Sequence, residues 1–185
     1  MRILLVATRP EDATAVESTL LGEGHTVTTC SDGNGGPCRG TEHVEQCPLE
    51  SSVDLAVIAR GQGVEPGLLE MGATCAVHHR VGVVEIDPAD PPLESLYDLA
   101  DAAEAAVVAE YEQSVRDLIH RALPAGTVPA VVVTRRDQDV HVSVLVDRRL
   151  DALTVSAVAD RARAGVRRHD RFAKVIDVAV VQGAC

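Results

Sequence analysis

The chain has 185 residues, 46% hydrophobic but only 2% aromatic, with a net charge of −11 at pH 7. That length allows one large domain or two small ones around a core of Val, Leu, Ile and Ala. The acidic balance excludes non-specific nucleic-acid binding, which needs Lys and Arg to release counterions from phosphates, and no run of about 18 apolar residues is present to span a membrane.

Residues 2–7 (RILLVA) form a nearly continuous apolar run of strand length. Pro10 then opens a helix whose Ala13, Val16, Leu20 and Leu21 share one face, ending at Gly22 and Gly24. HTVTTC (25–30) and VDLAVIA (53–59) read as the second and third strands. Residues 68–80 read as a short helix interrupted by Gly72, and VGVVEI (81–86) as a fourth strand. Strands apolar on both faces and alternating with helices predict a parallel sheet covered on both sides. The prolines 88, 91 and 92 mark a boundary, and Leu96 to Leu123 is a long amphipathic helical pattern stopped by Pro124 and Gly126. AVVVTRR (130–136) and VHVSVLV (140–146) flank a polar turn. An amphipathic helix over 154–168 and the strand VIDVAVV (175–181) follow. The expected fold class is α/β: a parallel βαβ sheet over 1–90, a Pro-rich linker and long helix over 91–124, and a small β-β-α-β unit over 125–185.

The start MRILLVATRPED is expected to be a buried strand, not a secretory signal, because Arg9, Pro10, Glu11 and Asp12 cut its apolar run short. A cytoplasmic location follows, where free thiols outlast disulfides. An odd total of five cysteines also counts against a complete disulfide framework. Basic residues are almost all Arg, with Lys174 the only lysine, a bias that resembles proteins of high-GC bacteria.

On MRILLVATRPED, GHTVTTCSDG and VDLAVIARG, residues 1–86 resemble the receiver domain of bacterial response regulators. The resemblance implies an acidic pair after the first strand for Mg²⁺, a phosphoacceptor Asp ending the third, and a Lys after the fifth. Here Thr8 and Arg9 stand at the acidic-pair positions, Ala59 and Arg60 at the phosphoacceptor end, and no lysine precedes Lys174. Glu11 and Asp12 suit the first turn of a helix, with a displaced acidic pair as the alternative, and Asp54 opens the third strand instead of closing it. No Mg²⁺ or aspartyl-phosphate site is expected.

The stretch CSDGNGGPCRGTEHVEQCPLE (30–50) stands where a receiver keeps a helix. Gly33, Gly35, Gly36 and Gly40 give its backbone freedom to wrap around something. With Cys75 it supplies four thiols, Cys30, Cys38, Cys47 and Cys75, the right number for an iron–sulfur cluster or a zinc site. His43, His78 and His79 are possible substitute ligands. The spacing lacks paired CxxC knuckles, and in a receiver-like sheet Cys30 belongs at the carboxyl edge whereas Cys47 belongs near the amino edge. A thiol–disulfide switch, or small buried hydrophobes with incidental loop cysteines, stay open as alternatives.

VPAVVVTRRDQDVHVSVLVDRRL with the helix and strand that follow it, about 105–183, resembles the alkaline-shock protein family. That resemblance implies a small α/β fold with no catalytic site and a tendency to self-assemble. No nucleophile elbow, phosphate-binding loop or acid–base pair is recognisable, so the expectation is a non-enzymatic regulatory or scaffold protein. A redox-sensing four-cysteine site is expected, with a protein partner or a second copy of the chain. The alternative is a phosphorylation-independent interaction and oligomerisation module whose cysteines are structurally incidental.

Overall fold

A computed structural model describes residues 1–31, 38–67, 70–136 and 138–183. The chain divides into two compact units, Met1–Ala105 and Ala106–Cys185.

The first unit is built on a parallel sheet of order β2-β1-β3-β4. Its strands are β1 (Arg2–Ala7), β2 (Thr26–Thr29), β3 (Leu55–Ala59) and β4 (Val83–Ile86). β3 is buried along its whole length and β1 from Ile3 to Val6, which is why both read as continuous apolar runs. Side chains alternate between faces. Ile3, Leu5, Leu55, Val57 and Ala59 point to one side and pack with Val16 and Leu20 of helix α1 (Pro10–Gly22). Leu4, Val6 and Ala56 point to the other, against Leu49, Val53, Ala76 and Val81. Pro10 and the acidic first turn, Glu11 and Asp12, start α1. Gly24, at φ +83°, turns the chain into β2.

The helix expected over 68–80 is formed as α3 (Met71–His78), which stops short of Arg80; residues 68 and 69 lie outside the described residues. Among the described residues between β2 and β3 the chain makes three short turns. These are α2 (Arg39–Glu42) and 3-10 turns at Val44–Gln46 and Pro48–Glu50, with Pro48 and Leu49 buried.

Helix α4 (Leu96–Ile119) is one continuous element shared by both units. Leu96, Leu99, Ala100 and Ala103 pack on the first core, whereas Tyr111, Val115 and Ile119 belong to the second.

In the second unit β5 (Ala130–Arg136) pairs antiparallel with β6 (Asp139–Val146), which pairs parallel with β7 (Val175–Gln182). Helix α5 (Ala152–His169) makes the crossover that a parallel β6–β7 pair requires, and Asp151 caps it by accepting from Thr154 N at 2.9 Å. Val140, Val142, Val144 and Val146 face inward with Val158, Ala162 and Val166, while Val132, Leu145, Val175 and Val181 are exposed. This is the β-β-α-β order, and the α/β class, expected from the patterning. Among the described residues no helix is long and apolar enough to cross a membrane.

Candidate functional site: four thiols and a buried ion pair

Cys30 directly follows β2, and its carbonyl accepts a hydrogen bond from Arg39 N at 2.9 Å. That bond folds the end of the glycine-rich stretch back onto the sheet and brings Cys38, the residue before α2, beside Cys30. Cys47 sits between the two 3-10 turns and packs against α2. A Cβ added at Gly40 would lie 2.9 Å from Cys47 Cβ and 3.4 Å from its sulfur. Cys75 lies on α3, one turn beyond Gly72, where an added Cβ would meet both Cys30 Sγ and Val6 Cγ2 at 2.9 Å. Cys30, Cys47 and Cys75 all pack against the core layer of Leu4, Val6, Leu49 and Ala76.

All four cysteines are free thiols, each partly buried. Burial pushes the Cys30 thiol up to about 12, reinforced by Cys38, Cys47 and Cys75 and by a hydrogen bond with Cys38. Cys75 is raised by burial and then by Cys38 and Cys47. The thiols are therefore mutual electrostatic neighbours, and forming a second thiolate beside a first is costly without a cation. Cys30 at such a value is no nucleophile near neutral pH, since the thiolate is the attacking species.

The conflict of sheet edges anticipated for Cys47 does not keep it from the group. The short turns at 39–50 take a path that a regular helix would not, and they carry Cys47 to the layer that holds Cys30 and Cys75. Sequence reasoning treats Gly40 and Gly72 only as flexibility and helix weakness. Their visible signal is a glycine inside a short helix, where it costs about 1 kcal/mol relative to Ala; here each leaves space for a cysteine.

His43 is exposed, with Nδ1 3.5 Å from Glu45. His78 is exposed at the end of α3, and His79 follows it with its backbone N–H donating to Cys75 O at 2.9 Å. Among the described residues no three His, Cys, Asp or Glu side chains are already arranged to hold a metal ion.

A second constellation lies at the carboxyl ends of β1, β3 and β4. Glu70, only 6% exposed, accepts from Arg60 Nε at 3.0 Å and Nη2 at 2.5 Å, and from Thr8 Oγ1. Arg60 Nη1 also donates to Glu85 at 2.9 Å. Hydrogen bonding from Arg60 holds the Glu70 carboxyl below the ordinary carboxylate range, against the opposing effect of burial and with help from Thr8. The order β2-β1-β3-β4 reverses direction between β1 and β3, the switch point outside which open α/β sheets take ligands. In this chain Arg60, Glu70 and Thr8 occupy that point with each other. Glu11 and Asp12 lie in the first turn of α1, and Asp54 sits before β3, bonded to Arg2 N at 2.7 Å and Arg2 Nη2 at 2.8 Å.

Comparison with family models, curated proteins and solved structures returned no match to this chain.

Proposed function

We propose that this is a non-enzymatic cytoplasmic regulatory protein whose first unit carries a thiol-ligated metal or iron–sulfur site acting as a redox-responsive switch. The observation that carries this reading is the convergence of Cys30, Cys38, Cys47 and Cys75 from a strand end, a loop, a 3-10 turn and a helix. Four thiols from four segments need a reason to meet. Zinc or cluster iron supplies one, because the cation offsets the repulsion among thiolates and binding releases their protons. Loss or oxidation of the bound group would reorder the 31–52 loop and change a protein interface.

The reading takes the first unit as a receiver-like scaffold without aspartyl phosphorylation. Thr8, Ala59 and Arg60 at the carboxyl edge support that view, since none can accept phosphate as a carboxylate does. The second unit is taken as an alkaline-shock-like assembly module that binds a protein partner or a second copy. Its support is the exposed Val132, Leu145, Val175 and Val181 and the two open sheet edges, β5 and β7.

Anaerobic purification with an absorption spectrum and Fe, sulfide and Zn analysis tests the proposal. Stoichiometric metal, lost when the cysteines are replaced, is expected. Colourless, metal-free protein that takes up neither Zn²⁺ nor Co²⁺ would sink it.

A second reading has its own observation. Cys30, Cys47 and Cys75 pack as small apolar groups, and no three donors already hold metal-ligand geometry among the described residues. On that reading the chain is an interaction module with incidental thiols, and replacing the four cysteines with Ala leaves oligomeric state and stability nearly unchanged.

A further inference from the structure

Glu70 immediately precedes α3, where an acidic side chain ordinarily serves the helix end, yet it makes no capping hydrogen bond. Both of its carboxylate oxygens turn away from α3 to Arg60, and one also accepts from Thr8. Arg60 is fixed in turn, because it follows β3 directly and bonds Glu85 of β4 as well. Gly67 also lies close to the end of β1, where an added Cβ would meet Thr8 Cγ2 at 3.5 Å. The first turn of α3 is thus anchored to three strand ends. Two residues beyond Glu70 comes Gly72, the surface on which the Cys30 sulfur rests, and one turn further comes Cys75. Burying a carboxylate and a guanidinium is costly and is weak evidence for a stability role. What this pair fixes in space is the end of the helix that delivers one of the four thiols.

We infer that Glu70, clasped by Arg60 and Thr8, is a positioning residue for the thiol site: it sets α3 so that Cys75 stands with Cys30. Releasing the clasp lets the start of α3 move off the carboxyl edge, which takes Cys75 out of the group and leaves Cys30, Cys38 and Cys47 together. The clasp also makes the site responsive to its own neighbourhood, because any group that competes for Arg60 withdraws the fourth thiol. The role as a ligand-positioning residue rests on the proposed metal or cluster reading; the geometric claim about Cys75 does not.

The test uses the full chain in two-cysteine forms. One keeps Cys30 and Cys75 and the other keeps Cys30 and Cys47, with the remaining cysteines changed to Ala. Dibromobimane, which fluoresces on joining two neighbouring thiols, reads each pair. Glu70→Gln and Arg60→Met should each slow Cys30–Cys75 joining at least 10-fold while changing Cys30–Cys47 joining less than 2-fold. General loosening would move both pairs alike, and that result overturns the inference, as does an unchanged Cys30–Cys75 rate or no joining of that pair in the parent. Far-UV circular dichroism checks folding, and Thr8→Val, which removes a donor and no charge, replaces a variant that fails to fold. In the five-cysteine chain the Co²⁺–thiolate charge-transfer band of Glu70→Gln should match that of Cys75→Ala, with the double variant no weaker than either. If the parent takes up no Co²⁺ while the cross-linking result holds, the metal reading fails and the positioning of Cys75 stands. If Co²⁺ binds with equal intensity in the parent and in Glu70→Gln, the metal reading stands and the ligand-positioning role fails.

Discussion

Replacing Gly165 with Ala is the sharpest test of how the second unit is packed. Gly165 is buried inside α5, and a Cβ there would lie 2.8 Å from Val115 Cα and 3.1 Å from Ser114 O, both backbone atoms of α4. Carbon atoms in good contact sit about 3.5–4.0 Å apart, so the overlap is roughly 1 Å and no side-chain rotation relieves it. The helices must separate. A gap of about 1 Å forfeits up to half of each affected dispersion contact among Tyr111, Val115, Val158, Ala162 and Val166, all fully buried. It also stretches the bond that Ser114 Oγ donates to Gly165 O at 2.9 Å, a bond worth about 1 kcal/mol. Overpacking of this kind costs about 1–3 kcal/mol. Against these losses stands a gain of about 1 kcal/mol from replacing a helical glycine by alanine. The net expectation is destabilisation by about 2 kcal/mol, read by urea and thermal unfolding followed by circular dichroism. Gly22→Ala is the control, since a Cβ there meets nothing within 4 Å, and it should be neutral or slightly stabilising. Gly165→Ala as stable as the parent would refute the close crossing of α4 and α5.

Gly72→Ala should behave differently from Gly165→Ala, because the atoms in the way are Cys30 Sγ and Val6 Cγ2, which are side-chain ends. Net destabilisation of about 1 kcal/mol is expected, together with faster alkylation of Cys30 as its sulfur is turned out; an unchanged alkylation rate would count against its seat on α3. Tyr111→Phe removes the hydroxyl donor to Asp170, which is 3% exposed and also accepts from Phe172 N at 2.7 Å. Leaving that carboxylate short of a donor should cost about 1–3 kcal/mol in chemical denaturation. Glu70 and Asp54 both have carboxyls lowered in the folded chain; for Asp54, burial would raise the value but hydrogen bonds from Arg2 outweigh it. The stability they confer is complete above the unfolded carboxylate values of about 4 and is lost as pH falls through the lowered folded values. Glu70→Gln should therefore flatten the acid limb of a stability–pH curve without changing its shape above about pH 6, and an acid limb identical to the parent's would contradict the Arg60 pairing.

Much of the architecture is legible in the sequence because it rests on local patterns. The apolar run 55–59 becomes a strand buried on both faces, and the alternation from Val140 to Val146 gives one buried face. Pro10 and Gly24 bound helix α1 through φ restriction and positive φ. These signals act within a few residues and depend on little else in the chain.

The site was legible only as a set of residues. Sequence alone supplies Cys30, Cys38, Cys47 and Cys75 and the vacancy of the aspartyl positions, but spacing cannot say whether 27 intervening residues bring Cys75 back to Cys47. The structure decides that through the turns at 39–50 and the bond from Arg39 to the Cys30 carbonyl. It also gives Gly40, Gly72 and Gly165 their reasons, because what a missing Cβ makes room for comes from a distant part of the chain. The pairing of Arg60 with Glu70, ten residues apart and across a strand end, is of the same kind. Hydrophobic period and turn chemistry are written along the chain; close approach and charge pairing exist only between its folded segments.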